Sequence, residues 1–208
     1  KHRRRQRQMC IRDRYYIMKN LDILGYIVLF SIIGLIIYLY INNLSEFQLK
    51  CIVSDEDGNK YCVRERSKID EAADLLAKTT QKCKQLVEYM KNKYPDKDNV
   101  KRLVDGFNPK KIMETLPTSK FTAYSENKGE KIAFCLNKEK HDNDNLIDES
   151  TLTFVAIHEL SHVMTVSIGH KSEFWENFKF LLENAKEAGI HEPVDYKQQP
   201  KELSLIHI

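Results

Sequence analysis

Hydrophobic residues along the chain fall into three kinds of run. The first is unbroken. Ile23 to Ile41 contains no charged residue, and Tyr26, Tyr38 and Tyr40 lie towards its ends. As a helix at 1.5 Å per residue it would span about 28 Å, close to a hydrocarbon core of about 30 Å. Tyrosine favours the membrane interface, and no small-residue cleavage site follows the run. The pattern therefore predicts a retained single-pass transmembrane anchor over residues 18–44. The second kind alternates. Leu49–Val53 and Lys60–Val63 flank Asp57-Gly58-Asn59, which predicts a hairpin over Gln48–Val63. Phe121–Tyr124 and Lys131–Leu136 flank Glu126–Gly129 and predict a second hairpin. The third kind repeats every three or four residues. Ile69, Ala72, Ala73, Leu76, Cys83, Leu86, Val87 and Met90 form one stripe of a helix over Ile69–Tyr94, ended by Pro95. Val100–Val104 and Pro109–Leu116 read as shorter helical pieces separated by Gly106 and closed by Pro117. Thr151 to Thr165 reads as another helix. Its approach, Leu152 to Ile157, is almost wholly apolar, so it is expected to be buried on several sides. The fold class expected is α+β: a transmembrane helix followed by a small domain of β-hairpins and helices over residues 45–202.

That buried helix carries His158, Glu159 and His162 in the spacing H-E-x-x-H. Residues four apart on a helix lie one turn above the other on one face, so both imidazoles can reach one metal ion. Zinc is the usual ion, at about 2.0–2.1 Å from each nitrogen. Glu159 projects beside the ligand seam, where a carboxylate serves as general base towards water. A buried helix bearing three polar side chains needs compensation for their burial, and a metal supplies it. The third candidate ligand is His170. On a continuous helix it would lie about 12 Å along the axis from His162, so the helix has to stop and the chain fold back. Gly169 suits the left-handed turn that ends a helix. Ser172 can cap a second helix with Glu173 and Glu176 in its first turn. Glu173, Glu176 or a residue beyond this stretch are the rival ligands.

His158-Glu159-Leu160-Ser161-His162, then Gly169-His170 and Phe174-Trp175, resembles the WLM and SprT-like group of zinc metallopeptidases over about Asp148 to Gly189. In that group the third histidine precedes a helix beginning with an aromatic pair, although the gap before it is longer here than in the shortest members. The resemblance implies a zincin-like catalytic domain acting on peptide or protein substrates. It also implies that the strand before the active-site helix pairs with extended substrate by edge addition. Here that strand is Ile132–Leu136, with Ile132, Ala133 and Phe134 as the candidate contacts. Phe174, Trp175, Phe178, Leu181 and Leu182 are expected to pack the second helix onto the metal helix. Tyr196 is the candidate donor to the oxyanion.

Charge changes the picture only once the ends are considered. The chain holds 33 Lys+Arg and 30 Asp+Glu, a net +3. Leu203 to Ile208 can be encoded by CTG TCT CTT ATA CAC ATC, whose reverse complement, read one base in, encodes Met9 to Asp13. One inverted sequence thus accounts for both ends, and it resembles a transposase-type sequencing adapter in translation, so residues 1–14 and 203–208 are expected to stand outside the fold. Without residues 1–14 the balance is 26 basic against 29 acidic residues, or −3. The arginine cluster that would suggest nucleic acid then disappears, and no nucleic-acid partner is expected. Met18 becomes the expected start, and a native C-terminus is expected beyond Glu202. Lys19 and the free amino group before the apolar run, against Asp55, Glu56 and Asp57 after it, place the catalytic domain in a lumen or outside the cell. Without Cys10, Cys51, Cys62, Cys83 and Cys135 remain, an even number that fits either disulfides or buried thiols. None has CxxC spacing. The expected function is a membrane-anchored zinc metallopeptidase. Two alternatives stay open: a DNA-associated protease of the same resemblance, and a non-catalytic membrane protein with a structural zinc held by four protein ligands.

Overall fold

The computed structural model of the chain describes residues 23, 25–40, 49–117, 119–138 and 145–192. Contacts divide the chain into two units, Lys1–Phe47 and Gln48–Ile208. In the first, residues 25–40 form helix α1, and every described side chain on it is exposed. The expected anchor is overturned here. Among the described residues no helix is long and apolar enough to cross a membrane. The described helical stretch 25–40 rises about 24 Å, against a hydrocarbon core of about 30 Å. The transmembrane part of the expected fold class and the single-pass, lumenal placement go with it. The expected adapter segments 1–14 and 203–208, Met18 and Tyr196 lie outside the described residues.

The second unit is α+β. Strands β1 (Leu49–Val53) and β2 (Lys60–Arg64) form the expected hairpin. Cys51 and Cys62 face each other directly in its register and are disulfide-bonded, whereas Cys83 and Cys135 are free and buried. Helix α2 (Ile69–Lys93) buries most of the predicted stripe, with Ala72, Leu76, Leu86 and Met90 at 1% exposure or less. Helix α3 (Asp98–Gly106) follows. The helical piece expected over Pro109–Leu116 is instead one 3-10 turn, Pro109–Lys111, and then strand β3 (Ile112–Glu114). Eight residues supply too little local helix to compete with pairing along a neighbouring strand. Strands β4 (Ala123–Glu126) and β5 (Lys131–Phe134) form the second hairpin, and the sheet order is β3-β5-β4. β3 runs parallel to β5 and β4 antiparallel to it.

Helix α4 (Glu149–Met164) is the centre of the unit, packing on α2, α3, α5 and β4. It is capped by Asp148, whose carboxylate accepts the Thr151 N–H at 3.0 Å and the Thr151 hydroxyl at 2.8 Å. Helix α5 (Ser172–Glu187) begins one residue after Lys171, so Ser172 is its first residue and not the expected cap. Phe174, Phe178 and Leu181 of α5 are buried, while Trp175 stays 40% exposed. A second polar cluster lies inside the unit. Glu114 on β3 accepts the main-chain N–H of Arg64 at 2.7 Å and pairs with the guanidinium of Arg66, which also donates to Asn137 at 2.7 Å.

Candidate metal centre

α4 is buried over most of its circumference because its sequence is apolar on several sides, and this determines where its two histidines face. His158 is 5% exposed and Glu159 4% exposed. His162, one turn on, is half-buried. α4 ends at Met164, five residues before Gly169, so the left-handed Gly169 (φ +80°) does not end the helix as expected. It turns the chain just before His170, and a Cβ there would meet nothing, so the need is purely conformational.

The turn brings three imidazoles together. The nitrogens of His158, His162 and His170 lie within 4.8 Å of one another. Nε2 of His158 and Nε2 of His170 are 3.1 Å apart. The ring centroids form a nearly equilateral triangle with sides of 5.0, 5.0 and 4.9 Å. Phe174 lies against all three, its centroid 4.8, 4.4 and 4.6 Å from theirs, and is itself fully buried. The Trp175 indole N–H donates to the His170 carbonyl at 3.1 Å. The aromatic pair that opens α5 therefore supports the triad from one side.

Electrostatics favour the ligating form. Burial, then the nearby His162 and His170, pushes His158 down to about 3; burial, then His170 and Lys128, pushes His162 down to about 4. Both rings are thus neutral at ordinary pH, the state that binds metal. Burial pushes Glu159 up to about 8. Two ligand nitrogens on one tetrahedral zinc at about 2.0–2.1 Å lie about 3.3 Å apart, near the 3.1 Å found here. Three converging imidazole donors with an open side therefore suit zinc. One atom departs from the common pattern: His158 Nδ1 is buried with no hydrogen-bond partner among the described residues, whereas a ligating histidine usually donates its second N–H. The rival ligand Glu173 is otherwise engaged. Its two oxygens accept the N–H groups of Val166 at 3.0 Å and Ser167 at 3.1 Å, and these bonds hold its carboxyl below the usual range. Glu176 is not part of the converging group.

A cavity of about 810 Å³ opens onto the triad, lined by His158, Glu159, His162 and His170 on one side and by Lys120 to Ser125, Asn127 and Lys128 on the other. The wall facing the triad is thus β4 and its flanks. Ile132, Ala133 and Phe134, the expected substrate contacts, lie on β5 and are at most 1% exposed. β5 is hydrogen-bonded to β3 on one side and to β4 on the other, so it has no free edge for a peptide. The sequence reading also missed Lys128 and Arg102, which hold the loop between the second and third histidines. One local signal was present: lysine stands in a turn whose neighbours Asn127 and Gly129 favour positive φ.

No family model matches the chain. It is 26% identical over 189 residues to Uncharacterized protein R325 of Acanthamoeba polyphaga mimivirus, covering 89% of this chain and 94% of that protein. A shorter stretch of 61 residues is 34% identical to Uncharacterized protein 136R of Invertebrate iridescent virus 6, covering 29% of this chain and 34% of that protein. Among solved structures, Wss1 from Saccharomyces cerevisiae is similar with a TM-score of 0.44 and 16% identity, over 60% of this chain and 86% of that one. A mutant of the same protein gives 0.46 and 15%, over 62% and 91%. At such TM-scores the likeness fixes neither activity nor substrate.

Proposed function

We propose that the chain is a zinc-dependent peptidase. The observation that carries this reading is the convergence of three imidazoles beside a buried glutamate on the wall of an open cavity. His158, His162 and His170 would hold the ion. When bound, zinc supplies a Lewis acid for the scissile carbonyl and makes water easier to deprotonate. Glu159 accepts the proton from water and delivers it to the leaving amine. Its burial suits the second task, because a carboxyl out of bulk water holds a proton more readily than an exposed one, and the positive charge of a bound ion would favour the ionised form that the first task needs. β4 is the outer strand of the sheet along the cavity. An extended peptide adds to such an edge through main-chain hydrogen bonds, with alternate side chains entering the cavity.

The test separates metal from chemistry. Glu159→Gln keeps the volume of the side chain and removes its ability to take the proton. It is expected to retain zinc and to lose casein hydrolysis by about 10²–10⁴-fold, the usual contribution of a general base. His162→Ala is expected to lose zinc and hydrolysis together. Undiminished hydrolysis by Glu159→Gln would sink the mechanism.

A further inference from the structure

The segment from Thr165 to Lys171 joins the second histidine to the third and forms neither helix nor strand. Its start is nevertheless held residue by residue by side chains from elsewhere. The Met164 carbonyl accepts from Arg102 Nε at 3.0 Å. The carbonyls of Thr165 and Ser167 accept from Lys128 Nζ at 2.7 and 3.1 Å. The N–H groups of Val166 and Ser167 go to Glu173, which lies 3.6 Å from Arg102. Cations therefore grip the carbonyls, a carboxylate grips the N–H groups, and the two grips meet through Arg102.

Lys128 stands out among these groups. It is the second of three consecutive left-handed residues in the β4–β5 turn, Asn127 at φ +46°, Lys128 at φ +58° and Gly129 at φ +102°. Such turns favour glycine at that position, and a side chain there carries a backbone cost. The turn is wedged in place: Gly129 and Gly106 approach so closely that a Cβ on either would come within 2.6 Å of backbone oxygen of the opposing segment. The lysine thus projects from a fixed base, and its ammonium ends on the two carbonyls.

We infer that Lys128 is a positioning residue of the metal centre, holding through Thr165 and Ser167 the segment that delivers His170. The inference rests on the metal reading above. It places the third ligand under the control of the same hairpin whose other strand, β4, walls the cavity. A merely electrostatic role has the opposite sign. Lys128 is close enough for its charge to act on His162, so removing a cation from beside a dication would tighten zinc, whereas removing a clamp loosens it.

The experiment measures Zn2+ affinity of the full chain by competition with a chromophoric chelator. Lys128→Met is expected to weaken zinc by about 10–100-fold, as removal of supporting groups behind a ligand commonly does. Lys128→Arg, which keeps a cationic donor, is expected to retain most of the affinity. In a His170→Ala background Lys128→Met is expected to cost nothing further, because the ligand it positions is already gone. Unchanged or tighter zinc in Lys128→Met, or an equal loss with and without His170, would overturn the inference. Should Lys128→Met fail to fold, Glu173→Gln loosens the N–H side of the same segment and is read in the same two backgrounds. Failure of the wild-type chain to bind Zn2+ would remove the metal reading, and this inference with it.

Discussion

Gly129→Ala probes the junction on which the site rests. A Cβ at Gly129 would lie 2.6 Å from the Gly106 carbonyl oxygen and 2.9 Å from Val163 Cγ2. The oxygen belongs to the backbone, so it cannot swing aside as the end of a flexible side chain can. Gly129 also sits at φ +102°. A left-handed conformation costs an alanine about 1–2 kcal/mol, and overpacking of a tight contact about 1–3 kcal/mol. The variant should lose about 2–5 kcal/mol of stability by the sum of these two effects. Gly106→Ala isolates the second effect. Its Cβ would meet the Lys128 carbonyl oxygen at 2.6 Å and Val163 Cγ1 at 2.7 Å, without a positive φ. It should lose about 1–3 kcal/mol, offset by up to about 1 kcal/mol of better helix propensity. The double variant should cost less than the sum, because the first substitution already opens the crossing that the second would strain. Urea unfolding measures all three, with stability compared at a common slope. Gly129→Ala within about 0.5 kcal/mol of wild type, the scatter of an ordinary surface substitution, would refute the close approach.

Glu114→Gln should cost about 3–5 kcal/mol in the same assay, because it removes the carboxylate that serves the buried Arg66 guanidinium and the Arg64 N–H. The exposed pair Lys91–Glu88 is the control: Glu88→Gln should cost under about 1 kcal/mol, and equal effects at the two sites would contradict the burial. Cys83 is buried and burial pushes its thiol up to about 12, so at pH 8 it should resist alkylation in the native chain, read peptide by peptide in a mass spectrometer. Labelling of Cys83 at the rate of an exposed thiol would show that α2 does not pack as described.

The parts of the site legible in the sequence are those set by local geometry. His158 and His162 share a face because four residues make about one helical turn, and Glu159 lies beside them by the same periodicity. The break that brings in His170 was readable from distance alone, since eight residues of helix separate two side chains too far to converge. What could not be read was set by partners distant in sequence. Alternation marks β5 as a strand but does not distinguish an edge from a centre. β5 became central because Ile112 to Glu114 pairs with it in parallel, and that segment had been read as helix. Lys128 read as a turn residue because its acceptors, Thr165 and Ser167, lie 37 and 39 positions away.

The three histidines also differ in exposure, and the difference has a physical consequence. His158 is buried, His162 half-buried and His170 exposed. The first two are positioned by a helix packed on several sides, so their geometry depends on the core. His170 has no such core around it, and its main chain is free to move wherever its segment is not tied down. The costs of ordering an exposed loop are entropic, on the order of 1–2 kcal/mol per residue fixed. They fall on the binding of the ion unless side chains have already ordered the loop. The bonds to Met164, Thr165, Val166 and Ser167, and that of Trp175 to the His170 carbonyl, do this ordering before any ion arrives. Only Ile168 and Gly169 lie between the two sets of ties, and Gly169 supplies the left-handed turn that a residue with a Cβ adopts at a cost. His170 is therefore pre-organised from both ends by residues outside the triad, and on the metal reading proposed above the affinity of the centre would rest on Lys128, Glu173 and Trp175 as well as on the motif that reveals it.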